Sequence, residues 1–169
     1  MIMNLKRLVR VNKIISNIEY LSLVREIEAI EADREYCRHD FQHFISVARI
    51  AELLNVKEAL NIDSELIYAA ALLHDIGRAE EVKSGERHEV VSERLAPELI
   101  DAAGFGETEK KMILSAIANH RNKDVIDDMN RPLESIIYRA DKLSRNCFYC
   151  DAYDKCRKSY DKRNMELNI

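Results

Sequence analysis

The sequence predicts an all-α fold, and three observations carry that expectation. Glycine and proline together number six in 169 residues, four and two, where an average chain this long carries roughly twenty. Chain breakers this scarce argue against a turn-rich sandwich or barrel. Apolar residues make up 47% and charged residues 33%, the profile of a globular chain able to bury a core without staples. The apolar residues recur at helical spacing along most of the length. With no internal repeat, low-complexity tract or linker, residues 1–169 read as one domain.

The first expected helix covers about 17–34, with Ile18, Leu21, Ile27 and Ile30 as its apolar stripe. The second covers about 40–54, where His43, Val47, Ile50 and Leu54 share a face, which turns His43 inward. The third starts at Asp63-Ser64, a natural N-cap, and ends near Asp75, with Gly77 as a stop. Its Tyr-Ala-Ala-Ala-Leu-Leu run is apolar nearly all round, so this helix is expected at the centre. The fourth covers about 87–103, closed by Gly104, with Pro97 expected to kink it. His88, Val91, Leu95 and Leu99 share its face. The fifth begins near Thr108 and places Ile113, Ala116, Ile117 and His120 together. A polar loop, 121–132, precedes the sixth, which Pro132 opens. Its buried side is Leu133, Ile136, Ile137, Ala140 and Asp141. Residues 78–87 read as a loop, and 147–169 resist assignment.

Charge narrows the function classes. Formal net charge is −4, unevenly spread: residues 1–138 carry 18 basic and 25 acidic side chains, residues 139–169 carry 8 and 5. An acidic body gives no electrostatic basis for nucleic-acid binding. The longest apolar run is Leu66–Leu73, eight residues, far short of the about twenty that span a bilayer. Lys6, Arg7, Arg10 and Lys13 punctuate the N-terminus, so no signal peptide is expected. A cytoplasmic protein without a membrane partner follows as the expectation, and its four cysteines read as thiols or metal ligands rather than disulfides.

One pattern carries chemistry. His43, His74, His88 and His120 fall on inward faces of four helices, Asp75 follows His74, and Asp141 faces inward on a fifth. A single histidine on an apolar stripe is ordinarily a hydrogen-bonded core residue. A buried helical aspartate is rarer, because an unpaired carboxylate is costly to desolvate. That many polar groups aimed into one core is most simply explained by a cation they coordinate. Imidazole with carboxylate suits iron, manganese, zinc, nickel or cobalt rather than calcium.

These residues resemble the signature of the HD superfamily of metal-dependent phosphohydrolases, a His, a His-Asp doublet and a later Asp on successive helices. Here they are His43, His74-Asp75 in Leu-Leu-His-Asp-Ile-Gly-Arg, and Asp141 in Arg-Ala-Asp-Lys-Leu. The likeness covers about residues 40–146. It implies a helical bundle of about six to seven helices, with the N-terminal helix and the C-terminal tail packed on it. His88 and His120 are similar to the two additional histidines of branches that bind two metals, one of which can be magnesium. The stretch between doublet and His88 is short for those branches. The resemblance implies metal ligands His43, His74, Asp75, His88, His120 and Asp141, and a metal-bound hydroxide attacking phosphorus in line. The implied substrate is a nucleotide-like phosphate ester or anhydride. Arg78, three residues past Asp75, is expected to act in catalysis and to bind phosphate with Lys142, Arg145 and Arg121; the alternative is a solvated surface. The same ligands also serve a di-iron oxygenase that uses O₂, and a third expectation is a non-catalytic metal- or redox-sensing module. His39 is expected at a helix start beside Asp40, partly exposed.

Cys147, Cys150 and Cys156 give C-x₂-C-x₅-C, with Cys37 far upstream. The plainer expectation is reduced thiols in a packed tail. The other is a four-cysteine site for zinc or an iron–sulfur cluster, since Cys37 precedes His43 and Cys147 follows Asp141.

Overall fold

The computed structural model describes residues 7–168; Lys6 and the extreme ends of the expected 1–169 domain lie outside them. Among the described residues the regular structure is eight α-helices and four short 3₁₀ turns, with no strand. Six helices match the six expected: α2 Ile18–Ile30, α3 Phe41–Lys57, α4 Ser64–Leu73, α6 His88–Ala103, α7 Glu107–Asn119 and α8 Pro132–Leu143. Two of seven residues each are additional, α1 Val9–Ile15 and α5 Arg78–Ser84.

Local chemistry explains the boundaries. The Asp40 side chain caps α3 by accepting from the His43 amide at 2.8 Å, and Asp63 caps α4 through Glu65 N at 2.8 Å. Gly104, at φ +90°, closes α6 in the left-handed conformation. Helix α6 runs through Pro97.

As expected from its apolar circumference, α4 is central: it packs against α1, α3, α6, α7 and α8. Residues 69–73 are fully buried. One end of the bundle gathers the N-termini of α3 and α6 with the C-termini of α4, α7 and α8. Those ends carry the histidines and aspartates.

Four expectations change. On α2, Ile18 is 73% exposed, and the buried stripe is Tyr20, Val24 and Ile27. Both stripes obey helical spacing; contact with α1 and α5 selects one. Residues 78–87, expected as a loop, contain α5, which ends at Gly85 with φ +78°. Seven largely charged residues are too few to display a period. Helix α1 was hidden for the same reason. Its Arg10 pairs with Glu65, bonds Glu109 Oε2 at 2.7 Å and lies over the Phe105 ring at 4.2 Å. Gly77, finally, is not a left-handed stop: its φ is −82°. A Cβ there would lie 2.6 Å from His88 O and 2.7 Å from Ser92 N. Glycine is needed so that α6 can approach the turn after α4.

Among the described residues beyond α8 the regular structure is three 3₁₀ turns, Cys147–Tyr149, Tyr153–Lys155 and Tyr160–Lys162. Among the described residues no helix is long and apolar enough to cross a membrane.

Candidate metal centre

Two histidines are held by one device. His74 and His120 are the C-cap residues of α4 and α7, where the last turn's carbonyls lack helical partners. His74 Nδ1 donates to Ala71 O, and His120 Nδ1 to Ile117 O, each at 2.7 Å. His88, first residue of α6, faces Glu81 Oε2 with Nδ1 at 2.9 Å. His43 Nδ1 lies 3.3 Å from Ser144 Oγ, whose own proton goes to Asp141 O at 2.8 Å. Each Nδ1 thus has an acceptor, which leaves each Nε2 with its lone pair pointed inward.

The Nε2 atoms converge on Asp75. Its Oδ2 lies 3.3 Å from His74 Nε2 and 3.7 Å from His43 Nε2. Its Oδ1 lies 3.0 Å from His88 Nε2 and 3.4 Å from His120 Nε2. Asp141 Oδ1 is 3.6 Å from His43 Nε2. Two ligand triads result, His43–His74–Asp141 and Asp75–His88–His120, each with its donor atoms within 4.8 Å of one another. His43 Nε2, His74 Nε2 and Asp75 Oδ1 are buried without a hydrogen-bond partner. Lone pairs and carboxylate oxygens packed this closely repel unless positive charge sits among them. The donor set is nitrogen and oxygen of the kind divalent transition metals take, so the residues present fit such a metal.

Electrostatics agree. Burial would raise the Asp75 carboxyl, yet His74, His120 and His88 hold it well below the ordinary carboxylate range. Asp141 is lowered too, against its burial, by Lys142 and then His74. Burial, followed by the charge of His74, pushes His43 down to about 4. Burial also opposes charge on His74, but Asp75 and then Asp141 outweigh it and raise that imidazole.

The site opens into a cavity of about 820 Å³, a size that takes a small-molecule ligand. Arg78, Arg121, Lys142 and Arg145 all line it. Arg78 is nearly buried and already held, by Glu81 Oε2 at 2.6 Å and Glu31 Oε1 at 3.0 Å. Lys142 bonds Asp141, and Arg145 lies 3.9 Å from Asp141 Oδ2. Arg121 is half exposed, 3.6 Å from Glu89. His39 is partly exposed beside Asp40 and belongs to the cavity wall: its Nδ1 lies 3.0 Å from Glu31 and its Nε2 3.8 Å from Asp75 Oδ2. Cys37, Cys147, Cys150 and Cys156 are free thiols lining one smaller neighbouring cavity.

The sequence reading missed Glu31, Glu81 and Ser144, which orient His39, His88 and His43, and the cavity cations Arg38 and Lys158. Glu81 had a findable signal, lying seven residues before His88 in a charged run. Glu31 and Lys158 had none, because only tertiary folding brings them to the site.

The sequence profile of a family described as HD domain matches residues 40–146. An uncharacterised protein of Clostridium beijerinckii is 35% identical over 158 residues, covering 94% of this chain and 98% of that protein. Ribonuclease Y of Petrotoga mobilis is 28% identical over 125 residues, 74% of this chain and 22% of that protein. A crystal structure described as a predicted HD superfamily hydrolase, from an uncultured Thermotogales bacterium, shares the fold. Its TM-score is 0.62 at 23% identity, covering 87% of this chain and 80% of that one.

Proposed function

This chain belongs to the HD domain family, and on that premise we propose that it is a metal-dependent phosphohydrolase acting on a phosphate ester or anhydride of a nucleotide-like small molecule. The observation that carries the reading is Asp75, whose two oxygens face separate histidine pairs at the floor of a cation-lined cavity. Divalent metal there (iron, manganese, nickel, cobalt or zinc, with magnesium an option at the second position) supplies acidified water and neutralises phosphoryl charge. His43, His74 and Asp141, with Asp75 Oδ2, form one binding set; His88 and His120, with Asp75 Oδ1, form the other. Glu81, Ser144 and the carbonyls of Ala71 and Ile117 keep each imidazole in the ligating tautomer.

Lys142, Arg145 and Arg121 stand on the rim, where they bind phosphate oxygens, and Arg38 and Lys158 extend that surface. Arg78 is the innermost cation, and its Nε–H has no acceptor. Held by Glu31 and Glu81, it keeps a fixed orientation toward the phosphate. The free thiols fit a cytoplasmic setting.

Anaerobic purification, metal analysis and a screen of nucleotides, dinucleotides and RNA oligonucleotides test the reading. The expected result is metal-dependent phosphate release from a nucleotide or dinucleotide without oxygen. O₂ consumption requiring iron would replace it with an oxygenase. Cleavage confined to RNA would align the chain with the function for which the Petrotoga relative is named. An Arg78→Ala variant with unchanged kcat/KM on the best substrate would remove Arg78 from the assignment.

A further inference from the structure

The segment after α8 presents a physical problem. Residues 146–168 contain three 3₁₀ turns and one buried side chain, Ala152. So little apolar burial does not offset the conformational entropy of ordering more than twenty residues. Short irregular segments that fold under such conditions use covalent or metal cross-links.

Polar contacts tie this segment to the rest, among them the Lys155–Glu35 ion pair at 2.6 Å. Tyr36 Oη donates to Lys155 O at 3.1 Å, and Asn164 Nδ2 caps α8 by donating to Lys142 O at 2.7 Å and Arg145 O at 2.9 Å. Arg163 donates to Cys156 O at 2.7 Å and Lys158 O at 2.8 Å, which shapes the backbone around Cys156. Tyr36, Cys156, Lys158 and Arg163 line one cavity of about 250 Å³. All four cysteines of the protein line it, three from the C-terminal segment and Cys37 from the turn before α3, and none is in a disulfide.

The charge around that cavity is one-sided. Arg34, Arg157, Lys158 and Arg163 line it, and no carboxylate does. Among the described residues, only Arg34 of these four has a carboxylate partner, Glu31 at 2.8 Å. Four neutral thiols leave this positive wall unbalanced. Four thiolates around an iron–sulfur cluster carry net negative charge, which those cations would balance.

Among the described residues these thiols form no group close enough to share a single ion, but they ring a cavity with room for a cluster. We propose that Cys37, Cys147, Cys150 and Cys156 hold an iron–sulfur cluster that clips the C-terminal segment onto the turn before α3. The C-x₂-C step offers two thiolates from one turn. Each thiol gives its proton to solvent as it ligates. Tyr36, Cys37, Cys147, Cys150 and Lys158 line both this cavity and the larger one, so the clip also forms part of the wall over Asp75. This centre is independent of the histidine–aspartate site and does not rest on its assigned activity.

The test is metal and sulfide analysis of the full chain, purified anaerobically and, separately, reconstituted with ferrous and ferric iron and sulfide. The double variant His74→Ala/His88→Ala serves as background, since it breaks both histidine–aspartate ligand sets but leaves the thiols. About four irons with acid-labile sulfide and visible charge-transfer absorption are expected in that background. Cys150→Ser and Cys156→Ser should each lose this metal and keep the histidine-site complement. Should those variants fail to fold, thiol alkylation of the unmutated chain decides: the four cysteines should resist modification until a chelator is added. Failure to take up iron and sulfide, with the thiols reacting freely, binding zinc instead or forming a disulfide, overturns the proposal.

Discussion

Asp75 Oδ1 lies 3.0 Å from His88 Nε2, although α5 intervenes between the two residues in the chain. The other carboxylate oxygen is 3.3 Å from His74 Nε2. One side chain therefore spans two imidazole pairs, whose His74 and His120 rings also meet edge to face at 5.0 Å. Asp75→Asn should reduce bound metal at both positions and lower kcat/KM by about 10³-fold, since metal-ion charge stabilisation is worth several kcal/mol. Metal analysis alongside steady-state kinetics checks this. Full metal content with full activity would remove Asp75 from its bridging role.

Glu81 acts through His88, whose Nδ1 it faces at 2.9 Å. Glu81→Gln should weaken metal binding at the His88–His120 position roughly 10–100-fold, the usual effect of losing a partner behind a ligand. The His43–His74–Asp141 position should be spared. Sequential metal titration by calorimetry separates the two, and equal weakening of both would contradict the assignment.

Metal affinity should fall as pH falls through neutrality. In the metal-free protein Asp75 and Asp141, working against burial, raise His74 above its ordinary value. A proton there occupies the place of the cation, and metal must displace it. Below that raised pKa, apparent affinity should drop by about tenfold per pH unit for one displaced proton. His43, pushed down to about 4, competes only in stronger acid. Calorimetry in buffers of differing ionisation enthalpy counts the released proton, and pH-independent affinity between about 5 and 7 would contradict the argument.

Glu31 should support stability above its ordinary value and lose that role in acid. Burial works against its charge, but His39 and then Arg34 lower it from 4.5 to about 2. A lowered folded-state pKa stabilises fully above the unfolded value, and the stabilisation disappears as pH falls toward the folded one. Glu31→Gln should cost roughly 2–3 kcal/mol at neutral pH, because it also leaves Arg78 with one fewer partner. Denaturant unfolding should show the gap to the unmutated protein narrowing below pH about 4.5.

Gly77→Ala should disturb both stability and the second metal position. Its Cβ would meet His88 O at 2.6 Å and the Val91 Cβ at 2.7 Å, so the start of α6 must move. The expected cost is about 2 kcal/mol, a fall in Tm of roughly 4–8 °C for a chain of this size, with weaker metal binding at His88. An unchanged Tm would mean that the turn relaxes freely.

Period and residue type are local properties, so they established the helical class, the central place of α4 and the inward aim of His43, His74, His88, His120 and Asp141. His43, His74, His88 and Asp141 could be placed on inward faces from spacing alone. Tertiary structure decided which apolar stripe of α2 is buried, that Gly77 serves close approach rather than a left-handed turn, and that Glu31 reaches Arg78 across 47 residues of chain. It also brought Cys37 beside the C-terminal thiols. Such pairings depend on how helix ends meet in space, and no periodicity within one segment encodes the distance between two others.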